Sequence, residues 1–212
     1  MNRIIMADKT RKSTAWKKNR RFGDVFGGRR RPKIKDGIIR RTHSLAAPSE
    51  FDEIPVFMTE NTSRDYFFPV TTEEIREALE RFPYEDTQYI THIWLRKHRD
   101  GEQCQGYLAV GSGVVAIVLY PMRRDLKIDL GNRKPSGRSL RWYEGFASVY
   151  RDEDRWFAEF TEESAKRYFI ERLLAHEIGH CADYARGLLN SRSGYKEENF
   201  ADNYAYGYDH EE

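Results

Sequence analysis

Apolar and polar positions divide the 212-residue chain into a first part without periodicity and a second part in which helical and strand spacings alternate. From Met1 to about Ser49 no apolar repeat is visible. Ile54 to Met58 then forms a short apolar run, and Thr71-x-x-Glu74 makes a capping box ahead of Ile75, Ala78, Leu79 and Phe82, which recur at helical spacing and stop at Pro83. Tyr89–Leu95, Gly106–Val110 and Val114–Tyr120 alternate and are rich in β-branched and aromatic residues. With Gly111-Ser112-Gly113 as the turn between the last two, they predict an antiparallel meander. Lys127 to Leu130 adds a short strand, Asn132 to Ser139 reads as a loop, and Trp142–Tyr150 with Arg155–Phe160 flanks Asp152-Glu153-Asp154 as a hairpin. Thr161 caps a helix that opens with Glu162 and Glu163 and runs through Arg186 to a stop at Gly187; a second helix starts near Lys196. The whole is an α+β pattern: a small mixed or antiparallel sheet, then two helices.

Charge sharpens the division. Residues 1–42 hold fifteen Lys or Arg against Asp8, Asp24 and Asp36, so a net +12 lies there and −10 in the rest of a chain whose formal charge is +2. Such self-repelling runs favour open chain, which predicts a disordered basic arm over residues 1–49 and a folded domain over 50–212. The arm suits phosphate or another anionic surface, with Trp16, Phe22 and Phe26 available for stacking on bases, and equally suits a solubilising tail or an address signal. Aromatic content is 14%, enough to build a core and exclude wholesale disorder. No window approaches the ~20 apolar residues of a membrane span, and Met1 to Lys12 lacks the apolar block of a secretory signal. Two cysteines, Cys104 and Cys181, exclude a disulfide scaffold. Together these lead to the expectation of a cytoplasmic protein.

Chemistry concentrates on the penultimate helix, in His176-Glu177-Ile178-Gly179-His180. Four residues advance an α-helix by about 400°, so the two histidines stand one above the other and both imidazoles can reach one metal ion. Glu177 is displaced from that face, close enough to take a proton from an activated water but poorly placed as a third ligand, which suits a general base. Catalytic zinc normally takes three protein ligands and keeps one position open. The final helix offers Glu198 as the third, with Asp202 on the same face to accept the remaining ring N–H of a ligand histidine, and Glu197 as the nearest substitute. An electrophile for the developing oxyanion is also needed; Tyr195 is the candidate by position, with Tyr184, Tyr204 and His210 as rivals. Cys181 is rotated off the ligand face and reads as a small buried group. His43, His92 and His98 have no companion at ligand spacing.

The pattern His176-Glu177-x-x-His180 followed by Glu198-x-x-x-Asp202 resembles that of gluzincin metallopeptidases. Residues 176–184 are also similar, over fewer positions, to the catalytic end of anthrax lethal-factor-like peptidases. The metzincin pattern fails, because Arg186 stands where its third histidine would be. The gluzincin resemblance implies a zincin-like fold and a Zn2+ cofactor held by His176, His180 and Glu198. It further implies Glu177 as catalytic base, Asp202 as the residue orienting a ligand histidine, and a peptide or protein substrate laid along an edge strand. That strand is expected to be Trp142–Tyr150 or Arg155–Phe160. The expected function is therefore zinc-dependent peptide hydrolysis. Two alternatives remain open: a nucleic-acid-binding protein on a degenerate zincin-like platform, and a protease delivered to nucleic acid by its basic arm.

Overall fold

A computed structural model of the chain describes residues 34–35, 38–39, 45–97, 105–187 and 194–208; for 34–35, 38–39, 194, 195 and 208 it describes the backbone alone. The chain divides into two units, Met1–Ser44 and Leu45–Glu212. Within the first, β1 (Ile34–Lys35) and β2 (Ile38–Ile39) pair antiparallel. The expected basic arm otherwise lies outside the described residues, apart from positions 45–49.

The second unit is α+β. Its main sheet contains β3 (Val56–Thr59), β5 (His92–Leu95), β6 (Gly106–Gly111) and β7 (Val114–Leu119) in the order β3-β5-β7-β6. β3, β5 and β7 run parallel and β6 returns antiparallel at the edge. The expected meander is thus corrected: β5 pairs with β7, parallel, and not with β6. The reason is burial. Every residue of Val114–Leu119 is buried, whereas five of the six in Gly106–Gly111 are only half-buried. The all-apolar strand takes the centre, covered on both faces, and the weaker one takes the rim. The β6–β7 turn follows the expectation, with Ser112 and Gly113 at φ of 54° and 78°.

Two short helices, α1 (Thr72–Leu79) and α2 (Tyr84–Thr87), connect β3 to β5, with the two-residue strand β4 (Tyr66–Phe67) ahead of them. Both arms of the Thr71/Glu74 capping box form, and α1 buries Ile75 and Ala78. β4 pairs with β8 (Met122–Arg123). A second, antiparallel sheet has the order β10-β11-β9, from β9 (Lys127–Gly131), β10 (Ser148–Asp152) and β11 (Arg155–Glu159).

Between β9 and β10 the structure departs from the sequence pattern. Ser136 accepts a hydrogen bond from the Ser139 N–H and opens α3, Gly137–Tyr143. Residues assigned to the end of a loop and the start of a strand, Trp142 among them, therefore form a helix.

Thr161 caps α4 (Glu162–Arg167), which passes through a π-helical stretch, Tyr168–Leu174, into α5 (Ala175–Ala185). Six of the seven residues in the π stretch are buried. Gly187, at φ +67°, ends the run as expected. α6 spans Gly194–Tyr208. The main core lies between one face of the large sheet and these helices, joining Ile93, Leu95, Ile117 and Leu119 to Phe169, Leu174 and Ile178. Alternate residues, Trp94, Ala116, Val118 and Tyr120, cover the other face. Among the described residues no helix is long and apolar enough to cross a membrane.

Candidate metal centre

α5 presents His176 and His180 one turn apart, their ring centroids 4.8 Å from each other and nearly perpendicular. α6 crosses beside them. The two helices approach closely because Gly179 faces Ala201: a Cβ on Gly179 would lie 2.9 Å from the Ala201 Cα. Glu198 thereby reaches both rings, with Oε2 at 3.5 Å from His176 Nε2 and Oε1 at 3.7 Å from His180 Nε2. One ligand atom from each of the three residues lies within 4.8 Å of the others, so the group can hold a metal ion.

The spacing bears on what the group is for. Direct charge-assisted hydrogen bonds run at about 2.7–2.9 Å, and both distances exceed that. Ligands bound at about 2.0–2.1 Å in a tetrahedron stand roughly 3.3 Å apart. The two oxygens of the Glu198 carboxylate thus lie between the two imidazoles, one 3.5 Å from His176 Nε2 and the other 3.7 Å from His180 Nε2, beyond direct hydrogen-bond length.

Behind the cluster, Asp202 Oδ1 stands 3.1 Å from His176 Nδ1, leaving Nε2 to face Glu198. Asp202 is held in turn by Arg138 of α3, whose Nε and NH2 both approach Oδ2 at 2.7 Å. Trp142, one turn further along α3, packs edge-on against the His176 ring at 5.2 Å. Burial works against a charged His176, but the Asp202 and Glu198 carboxylates outweigh it and raise its pKa to about 9. His180 is shifted the other way by burial and by the charge of His176. The neighbouring His176 imidazole, more than any other group, lowers the pKa of Glu198. Burial opposes the charge of Asp202, yet His176 and Arg138 keep its pKa low.

Glu177 is buried, and its Oε2 has no hydrogen-bond partner among the described residues. Burial, the largest influence, pushes its pKa up to about 7. It borders a cavity of about 400 Å3 that also touches His176, Glu198 and Asp202, with Gly106 and Leu130 on one side and α3 on the other. Gly106 is the point of closest approach: a Cβ there would lie 3.0 Å from Glu177 Oε1. An unpaired buried carboxylate beside two imidazoles and a second acid is a donor set suited to a divalent ion with an adjacent base.

No protein-family model matches the chain, and no curated protein or solved structure matches it. The resemblance to gluzincins accordingly rests on the five motif residues of the sequence alone.

Those five, His176, Glu177, His180, Glu198 and Asp202, come together. Tyr195 lies in the first turn of α6, with its side chain outside the described residues, as is all of His210. Tyr204 is removed from the electrophile candidates: its hydroxyl donates to Asp86 at 2.8 Å. Tyr184 packs edge-on against Tyr89. The expected cleft strand is also corrected, because β6 and the end of β9 border the cavity and neither Trp142–Tyr150 nor Arg155–Phe160 does so as a strand. Sequence reasoning missed Arg138, Trp142 and Gly106. For the first two the signal was Ser136, an N-cap residue concealed in a stretch rich in Gly, Pro and Ser.

Proposed function

We propose that the chain is a zinc-dependent peptidase of gluzincin-like architecture. The observation that carries this reading is the convergence of ligand atoms of His176, His180 and Glu198 within 4.8 Å of one another, with buried Glu177 alongside. His176, His180 and Glu198 would hold the ion. Zinc, when bound, would supply Lewis acidity, polarising a carbonyl and lowering the pKa of a water towards neutrality.

The remaining work belongs to the chain itself. Glu177 takes the proton of the attacking water and returns a proton to the departing amine, a task for which a pKa near neutrality is suited. Asp202, anchored by Arg138, fixes the tautomer and orientation of His176. β6 supplies the edge for an extended peptide. The Tyr120 N–H bonds to the Gln105 carbonyl, so with Gly106 opposite Leu119 the alternation directs the backbone groups of Gly106, Leu108 and Val110 away from β7. Among the described residues no strand covers that side, and a substrate strand added there would pass over Glu177.

Metal analysis and a peptide-library digest of wild type, Glu198→Ala and Glu177→Gln test the reading. Wild type should carry one zinc per chain and cleave; Glu198→Ala should lose the metal. Glu177→Gln should keep zinc while turnover falls by about 10²–10⁴. Unchanged turnover in Glu177→Gln rejects the assigned base, and a metal-free wild type rejects the enzyme.

A further inference from the structure

The two sides of the metal-centre cavity differ in charge. β6, on the side of Gly106, carries no charged side chain along its whole length. The opposite side is formed by Pro135 and by Arg138 and Ser139 of α3. Residues 130–143 hold Arg133, Lys134, Arg138 and Arg141 and no Asp or Glu. The stretch reverses the sign of its surroundings, because the chain beyond residue 42 carries a net −10.

Arg138 and Arg141 stand one turn apart on α3 and engage residues one turn apart on α6. Arg138 grips Asp202, and the Arg141 guanidinium carbon lies 4.1 Å from the centre of the Tyr206 ring. These contacts hold α3 against the helix that carries Glu198. Arg133 and Lys134 fall between Leu130 and Pro135, which border the cavity on its two sides, and so follow its rim. Both are exposed, and neither makes an ion pair among the described residues. Cations on the neighbouring strands are matched: Arg123 pairs with Asp125, Lys127 with Glu159 and Arg155 with Asp129. Positive charge is neutralised on the strands around the cleft and left open at its rim.

We propose that this rim selects substrate peptides with acidic side chains flanking the bond that is cut. The inference rests on the peptidase reading and names the substrate class. An extended chain along β6 lies between that strand and α3. Its Asp or Glu side chains meet Arg133, Lys134 and Arg141, while neutral residues pass over Glu177 and Glu198, whose carboxylates repel an acid. Lys or Arg in the flanks meets like charge at the rim. A nucleic-acid strand suits the cleft less well. Its charge recurs at every nucleotide, so phosphates would come up against Glu177, Glu198 and Asp202 as well as the cations.

Two measurements compare the zinc-loaded full chain with the double variant Arg133→Glu/Lys134→Glu. Residues 1–42 are the same in both, so any attraction of that basic segment for acidic peptides cancels. Melting midpoint and zinc content of the double variant should equal those of wild type, which excludes loss of fold as the cause of any change. The first measurement is the cleavage profile of a peptide library. At least one position beside the cut bond should be enriched roughly fivefold or more in Asp and Glu over Lys and Arg, and the preference should vanish or invert on charge reversal. The second needs no turnover and is made in Glu177→Gln: binding of a glutamine-containing peptide and of its counterpart with those glutamines replaced by glutamate. The affinity ratio of the two should fall roughly fivefold or more on charge reversal. The effect of reversal should disappear between about 0.1 M and about 1 M salt, as the screening length drops from about 10 Å to about 3 Å. An acid preference that survives charge reversal overturns the rim as its source. Cleavage indifferent to Asp and Glu overturns the inference and leaves the peptidase standing. No cleavage, together with acid-selective binding that charge reversal removes, rejects the peptidase and leaves an acidic-peptide site. Charge reversal that weakens binding of a single-stranded oligonucleotide but not the peptide ratio assigns the rim to nucleic acid and overturns the inference.

Discussion

Gly179 meets Ala201 where α5 and α6 pack closely, three residues beyond Glu198 on the helix that carries it. An alanine at 179 would put its Cβ 2.9 Å from the Ala201 Cα and 3.0 Å from the Tyr204 Cβ. Neither is the end of a flexible chain, so the helices must part. Gly179→Ala is expected to destabilise the protein by about 1–3 kcal/mol and to weaken zinc binding at least tenfold. Gly207, also in α6, has nothing within 4 Å of an added Cβ. Gly207→Ala should leave zinc affinity unchanged and stabilise by roughly 0.5–1 kcal/mol. Thermal melts and zinc titrations of the pair check both; equal behaviour of the two variants would show that the helix contact does not position the site.

How far such relationships can be read from sequence depends on how local they are. The motif on α5 is legible because four residues of helix fix the relation of His176 to His180, and the Glu198/Asp202 pair follows from the same period on α6. The helix contact is different: Gly179 lies inside the motif, but nothing local says that it faces Ala201. Strand order was lost for a related reason. Val114–Leu119 takes the place between β5 and β6 through total burial, a property of the packed molecule, while turn chemistry specifies only its hairpin with β6. Arg138 and Trp142 were hidden by a helix whose only local mark is Ser136.

Asp202 offers a more direct handle on the site. Its carboxylate faces His176 Nδ1 and is gripped by Arg138. Asp202→Ala frees the His176 ring to turn and to adopt the other tautomer, which is expected to weaken zinc affinity by about 10–100-fold. Asp202→Asn retains an acceptor oxygen and should lose less. Competition titrations with a chromophoric chelator measure the order wild type, Asn, Ala; wild-type affinity in Asp202→Ala would show that the ring is held by Trp142 packing alone.

The protonation of His176 predicts opposite pH responses for the two forms of the protein. In the metal-free protein its pKa is raised from 6.5 to about 9. Its contribution to stability is therefore complete below about pH 6.5 and lost as pH rises through 9. The raised pKa of Glu177, about 7, acts with the same sign across its own range, from 4.5 to about 7. The midpoint of thermal unfolding in chelator should fall between pH 7 and 9. Zinc requires the neutral imidazole, so its affinity should rise about tenfold per pH unit over the same interval and level off above it. A zinc affinity independent of pH between 7 and 9 would mean that His176 is already neutral at pH 7.

Gly106 gives a way to disturb Glu177 without touching the proposed ligands. Its added Cβ would stand 3.0 Å from Glu177 Oε1, with the Val118 carbonyl at 3.2 Å and the Leu119 side chain at 3.1 Å leaving it little room to move aside. None of the three ligand residues is among these close neighbours. In Gly106→Ala the carboxylate of the base must give way by a few tenths of an ångström, while His176, His180 and Glu198 keep their places. Under the peptidase reading the variant should bind one zinc with wild-type affinity and lose at least tenfold in kcat, because proton transfer depends on heavy-atom distances of about 2.6–3.2 Å. A parallel loss of zinc would place the disturbance at the ligands. Full turnover with full zinc would show that the position of Glu177 beneath β6 does not limit the reaction, and the assignment of that carboxylate as the base would fall with it.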